Sequence, residues 1–418
     1  MLERINHTMV ATRMSDPIAS LGRKTAFEVF VAFFPLGFTA FGGPIAHLGY
    51  FRDAFVIRRG WLDEATYADL VALCQFLPGP ASSQVGIGIG LAKAGLPGAL
   101  AAWVGFTLPS AVILMLFGYG VVAFGDVVSH GALHGLKIAA VAVVAQALWG
   151  MGRTLCPDAL RMTLAVLAAA AVLMLPSPWT QVGVIVAGGL VGRVALLAET
   201  NGHGGRLHVP VSRAAALAAL TTLTLLLLGL PVLVSIWPNH AVALVDAFLR
   251  AGSLVFGGGH VVLPLLQAEV VPPGWVSNEA FLAGYGAAQA VPGPLFTFAA
   301  YLGTVMNAAP NGWLGATLCL IAIFVPSFLL VIGVLPFWVR LREAKPLRQA
   351  LLGVNAAVVG LLLAAFYDPV WTSGVHSAAD FALALGAFTL LVFWRTPPWL
   401  MVALSAAAGR AFAQVGVP

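Results

Sequence analysis

The chain has 418 residues, 60% of them hydrophobic and only 9% charged. Soluble domains carry about 25% charged residues, so a fold bathed only in water is excluded. A net charge of +5 does not mark a nucleic-acid binder, because the basic residues stand in short connections between apolar runs and form no stripe.

Residues 1–24 hold Arg4, Arg13, Arg23 and Lys24. They contain no apolar run ending in a small-residue cleavage site, so they are expected to form a retained cytoplasmic tail. Two interrupted segments follow: 25–57, broken at Gly42-Gly43-Pro44, and 63–93, broken at Pro78-Gly79-Pro80. Proline removes a backbone donor and glycine relaxes the chain, so each triplet is expected to break a helix. Apolar runs then predict crossings near 97–120, 135–150, 160–176 and 179–194, and one more at 214–236 after a polar loop. A second interrupted pair covers 245–271, broken at Gly257-Gly258-Gly259, and 279–306, broken at Pro292-Gly293-Pro294. Crossings near 312–335, 351–366, 380–394 and 398–413 complete the chain. Several runs are shorter than the ~20 residues of a full span, so their ends are expected to extend into flanking sequence. The alternation of barrel strands is absent.

The chain repeats itself. FGGPIAHL (41–48) matches FGGGHVVL (256–263), and WLDEATYADLVALCQFLPGP (61–80) matches WVSNEAFLAGYGAAQAVPGP (275–294). Farther on, Pro109-Ser110 matches Pro326-Ser327, GLKIAAVAVV (135–144) matches GVNAAVVGLL (353–362), and Pro178-Trp179 matches Pro398-Trp399. The offset drifts only from 214 to 220 residues. The expected organisation is a tail (1–24), a first repeat (25–200), a basic loop with one inverting helix (201–236) and a second repeat (237–418).

Charge orients the halves. The loop 118–134 has no lysine or arginine, whereas its counterpart holds Arg340, Arg342, Lys345 and Arg348. Positive loops stay cytoplasmic, so equivalent loops are expected on opposite faces, with the amino terminus inside and the carboxyl terminus outside. Arg23, Lys24, Arg52, Arg58, Arg59 and Lys93 flank the first two broken segments. If all are cytoplasmic, those segments are re-entrant hairpins. The expected fold class is therefore an all-α polytopic membrane protein: an inverted repeat of two homologous halves, each with two broken re-entrant helical hairpins plus spanning helices.

Half-helices starting after such breaks present unpaired amides and the positive end of the helix dipole, a natural anion site. The candidate binding residues are Gly42, Gly43, Pro44 and His47; Pro78, Gly79, Pro80, Ser82 and Ser83; Gly258, Gly259 and His260; and Pro292, Gly293, Pro294 and Thr297. Lys137, with Asn355 as its repeat partner, is a candidate for balancing a dianion or for snorkelling to the interface. Glu28 and Asp69, whose counterparts are Ala243 and Ala283, are candidates for carrying a coupling proton or for lying on a solvated face. His130 and His134 have the spacing of a metal pair, but no carboxylate or cysteine accompanies them, so they read as part of a loop and helix start. Cys74, Cys156 and Cys319 share no spacing motif. No nucleotide-binding loop is present and no cofactor is expected.

At FGGPIAHLGYF (41–51), the two Trp-to-Pro-Gly-Pro blocks (61–80 and 275–294) and FGGGHVVLP (256–264), the sequence resembles the chromate ion transporter family in its long two-domain form. The likeness runs from about 25 to 413. It implies gradient-driven efflux of chromate across the inner membrane, chromate resistance, and halves of opposite orientation. Sulfate or another oxyanion is the alternative substrate. In the second half Gly259 replaces the proline of FGGP and Asn355 stands where the first half has Lys137, so the halves differ at these positions. Reporter fusions near 126 and 345 are expected to report opposite faces of the membrane; the same face for both would end the inverted arrangement.

Overall fold

Thr25 starts the first helix, its hydroxyl accepting from the Glu28 amide while the Glu28 carboxylate accepts from the Thr25 amide. That capping box opens α1 (Ala26–Thr39), the first element of a computed structural model that describes residues 24–124, 130–197, 211–256 and 259–415. At about 1.5 Å per residue, the 14 residues of α1 reach roughly 21 Å, short of a hydrocarbon core about 30 Å thick. The chain turns at Gly42 and Gly43, with φ of 97° and 74°, values that glycine adopts without steric cost. α2 (Gly43–Phe51) runs on through a π-helical turn to Arg58. Asp63 caps α3 (Glu64–Phe76), and Gly79, at φ 120°, makes the next break. α4 (Ala81–Phe124) is two helices joined at Ala94 and Gly95, whose backbone is not helical. The Lys24 amide donates to the Lys93 carbonyl at 3.1 Å, so the chain from 24 to 93 leaves one place and returns to it.

Three helices complete the first half: α5 (His130–Leu155), α6 (Ala159–Met174) and α7 (Pro178–Ala195). α8 (Arg213–Ile236) stands between the halves. The pattern then recurs as α9 (His240–Leu254), α10 (Val262–Val270), α11 (Asn278–Ala290), α12 (Phe298–Val305), α13 (Gly312–Val334), the short α14 (Trp338–Glu343), α15 (Lys345–Ala365), the single turn α16 (Thr372–Gly374), α17 (Ala378–Val392) and α18 (Pro398–Val415). Backbone details recur with it. Trp61 and Leu62 both donate to Phe55, and Trp275 and Val276 both donate to Val270. Gly60 and Gly274, and Gly95 and Gly312, all have positive φ at matching positions.

Among the described residues five helices are long and apolar enough to cross a membrane, within α4, α5, α8, α13 and α15–α16. α6 and α17, with 16 and 15 residues, do not extend into flanking sequence as expected. Asp158 and Ser377 cap their starts, and Pro176 and Pro397 follow close behind their ends. Leu167, Leu190, Val194, Leu225 and Leu228 are exposed, an apolar outer face suited to lipid.

The halves interlock rather than abut. α5 packs on α17 and α18, and its counterpart α15 packs on α6 and α7. Glycines set both crossings: Gly135 lies against Ser405 and Ala406, and Gly353 against Gly188 and Gly192. A side chain at either would strike backbone, which cannot retreat as a flexible side chain can. Overfilling a packed crossing costs about 1–3 kcal/mol. Gly353→Val is therefore expected to lower the melting temperature of the detergent-solubilised protein well below that of Gly386→Val, where an added Cβ meets nothing within 4 Å. Equal melting of the two variants would remove this crossing from the contacts that hold the halves together.

Candidate functional site

The four interruptions meet. The Gly79 amide in the first Pro-Gly-Pro donates to Val255 at the end of α9 (2.6 Å), and the Gly293 amide in the second donates to Ala40 at the end of α1 (2.9 Å). These bonds are counterparts across the repeat, each from one half to the other. A Cβ on Gly259 would lie 3.6 Å from Pro44 Cγ and 3.9 Å from Leu295 Cβ, which ties the first, third and fourth breaks together. His47 closes the ring within the first half. Its Nε2 donates to the Ala40 carbonyl at 3.1 Å, and its Nδ1 lies 3.2 Å from Ser82 Oγ at the start of α4. The imidazole is buried and packs edge-on against Phe106.

Serines support the glycines from the long helices. A Cβ on Gly79 would meet Ser327 Oγ on α13 at 3.2 Å, and one on Gly293 would meet Ser110 Oγ on α4 at 2.9 Å. Gln84 donates from Nε2 to the Pro78 carbonyl. Several buried polar atoms here have no partner among the described residues: Ser83 Oγ, Gln84 Oε1, Thr107 Oγ1 and Ser327 Oγ, with Trp103 Nε1 and Gln289 Nε2. Leaving such a group unsatisfied costs about 1–3 kcal/mol, so water or a ligand is expected to satisfy these atoms.

The remaining sequence candidates fall in different places. Pro44, Pro78, Pro80, Pro292 and Pro294 bound the breaks, and Gly42 and Gly43 make the first turn. Gly258, with Gly257, lies outside the described residues. His260 Nδ1 lies 2.9 Å from the Tyr285 hydroxyl. The Thr297 hydroxyl donates to the Pro294 carbonyl at 2.7 Å, so it holds the turn. Ser82 is engaged by His47, whereas the Ser83 hydroxyl is uncommitted. Lys137 and Asn355 are half-buried on α5 and α15, and the Lys137 carbonyl faces Gly374. Glu28 is bound in the exposed capping box beside Lys24. Asp69 is buried and accepts from the Trp338 indole at 3.0 Å, a bond from the first half to the second.

Two groups escape a reading of the sequence. Thr107, Ser110 and Ser327 lie inside apolar spans, and only the repeated Pro-Ser pair marks two of them. Arg250 on α9 holds Asp246 at 2.9 Å and Glu269 at 3.0 Å. These three stand where the first half has Pro35, Val31 and Ala54, so the charge cluster belongs to the second half alone.

Comparison with known proteins places the chain. The family model described as "Chromate transporter" matches residues 27–193 and 242–410. A chromate transport protein of Pseudomonas aeruginosa is 29% identical over 82% of this chain and 80% of its own length. A probable chromate transport protein of Synechococcus elongatus is 27% identical over 91% of this chain and 94% of its own. A chromate transport protein of Cupriavidus metallidurans is 25% identical over 82% of each. No solved structure matches.

His47→Ala removes both bonds of the imidazole and frees the Ser82 hydroxyl. It is expected to destabilise the protein by about 1–3 kcal/mol, read as a lower melting temperature in detergent. An unchanged melting temperature would show that the breaks do not depend on His47.

Proposed function

Because the chain belongs to the chromate transporter family, we propose that it exports chromate and binds this dianion where the four breaks meet. The family is one of transporters, not enzymes. The observation that carries the site is a set of buried hydroxyls without partners among the described residues: Ser83 at the start of α4, Ser327 behind Gly79, and Thr107, next in the chain to Phe106, whose carbonyl faces Gly293. Chromate offers four oxygens and two negative charges. The hydroxyls donate to the oxygens, and the amides opening α4 and the turn before α12 supply positive potential. No lysine or arginine is required against the ion, so release on the far side is not opposed by a tight salt bridge.

The halves are proposed to be inverted relative to each other. Contacts in which i meets j while the counterpart of i meets the counterpart of j, as Gly79–Val255 and Gly293–Ala40 do, are those of a two-fold relation. Loop charge then favours an axis lying in the membrane plane over one normal to it. The part-length helices and the Lys24–Lys93 bond support re-entrant hairpins, entering from the cytoplasm in the first half and from outside in the second. Rocking of the halves about their shared breaks would expose the ion to each face in turn. Of the two carboxylates read from sequence, Asp69 suits the coupling proton better, since it is buried and bonded across the halves, whereas Glu28 caps an exposed turn.

Chromate and sulfate share shape and charge, and dipoles and hydroxyls distinguish them weakly. Everted membrane vesicles carrying the protein are expected to take up chromate when a proton gradient is imposed, with sulfate competing in part. Uptake equal to that of protein-free vesicles would refute the proposal. Ser327→Ala is expected to raise the half-saturating chromate concentration roughly ten- to a hundredfold, the worth of one hydrogen bond to a charged group; an unchanged value would move the ion away from the breaks.

A further inference from the structure

His134 on α5, His376 just before α17 and Asp380 in the first turn of α17 converge; neither 118–134 nor 366–377 contains lysine or arginine. His134 Nε2 lies 2.7 Å from Asp380 Oδ1. The rings of His134 and His376 are 5.8 Å apart and nearly parallel, at 20°. One ligand atom from each of the three residues lies within 4.8 Å of the others. Asp380 is buried, His134 half-buried and His376 exposed, so the cluster has a closed floor and an open mouth. The sequence expectation that no carboxylate accompanies His134 is corrected here: the carboxylate arrives from the other half, 246 residues on. The side chain of His130 lies outside the described ones.

The carboxylate is held in place before any ligand arrives. Its Oδ2 accepts from the amides of His376 (3.0 Å) and Ser377 (3.1 Å), while the Ser377 hydroxyl accepts from the Asp380 amide. Oδ1 is thereby left facing the imidazoles. Outer hydrogen bonds that fix a ligand's orientation are typical of metal sites.

We propose that His134, His376 and Asp380 form a binding site for one divalent transition ion of the zinc class, through two imidazole nitrogens and one carboxylate oxygen, with water completing the shell. Imidazole with carboxylate suits Zn²⁺, Ni²⁺ or Cu²⁺, whereas Mg²⁺ and Ca²⁺ prefer oxygen throughout. With bonds of about 2.0–2.1 Å, tetrahedral ligands lie about 3.3 Å apart. The His134–Asp380 pair needs to open slightly to reach that spacing, and the exposed His376 ring needs only a small rotation inward. The ion would join α5 of the first half to the start of α17 in the second. This site does not depend on where chromate binds.

The test uses the full-length protein, purified in detergent without a histidine tag, stripped with chelator and titrated with ZnSO₄ in a calorimeter, with MgCl₂ as control. One Zn²⁺ per chain is expected, with no heat from Mg²⁺. His376→Ala should weaken Zn²⁺ binding by about tenfold or more, as should His134→Gln. The cap of α17 uses the His376 main-chain amide and not its ring, so His376→Ala should melt with the wild type in chelator. Zn²⁺ should raise the melting temperature of the wild type and not of that variant. Equal Zn²⁺ affinity in the wild type and both variants, or no Zn²⁺ binding by the wild type, would overturn the site and leave a plain His134–Asp380 hydrogen bond.

Discussion

A helix interrupted inside a bilayer exposes backbone groups that water cannot reach, and each must find a partner in the protein or its ligand. This constraint organises the whole molecule. The two Pro-Gly-Pro turns reach into the opposite half, through Gly79 to Val255 and Gly293 to Ala40. Every other feature of the centre follows from keeping those turns adjacent. Glycines allow the close approach, serines on α4 and α13 stand behind them, and the long helices cross through small residues so that the halves can interlock.

The second consequence is chemical. Backbone amides of a neutral turn and hydroxyls of buried serines make the proposed binding surface polar without charge. Elsewhere, Arg250 holds two carboxylates and Asp69 accepts from an indole. On the proposed reading, an ion crossing this centre would meet oriented dipoles, which are rigid and cost little to reorganise, instead of a fixed counter-ion that would retain it.

Much of this was legible in the sequence because glycine and proline act locally. Gly42, Gly79, Gly293 and their neighbouring prolines announce a break wherever they occur in an apolar run, and the repeat shows that four breaks belong together. The loop 118–134, which has no lysine or arginine, against the basic 340–348 is what the proposed orientation rests on. Local signals could not say which hydroxyls are left over. Ser82 and Ser83 are neighbours, yet one is engaged by His47 and the other is not, a difference fixed by an imidazole 35 residues away. Nor could spacing find the meeting of His134 with Asp380, or the Arg250 cluster, since these contacts depend on the crossing of helices from different parts of the fold.

The bonds between breaks also bear on how the polypeptide is made. When the first half leaves the ribosome and enters the bilayer, the Gly79 amide and the Ala40 carbonyl have partners that do not yet exist; they lie at Val255 and Gly293. Until translation reaches those residues, the nascent half must keep its turns hydrated near the surface or shielded by the insertion machinery. Seating of the early breaks is then a late event, triggered by arrival of the second half, and a truncated chain would be poor at holding its own core in the membrane.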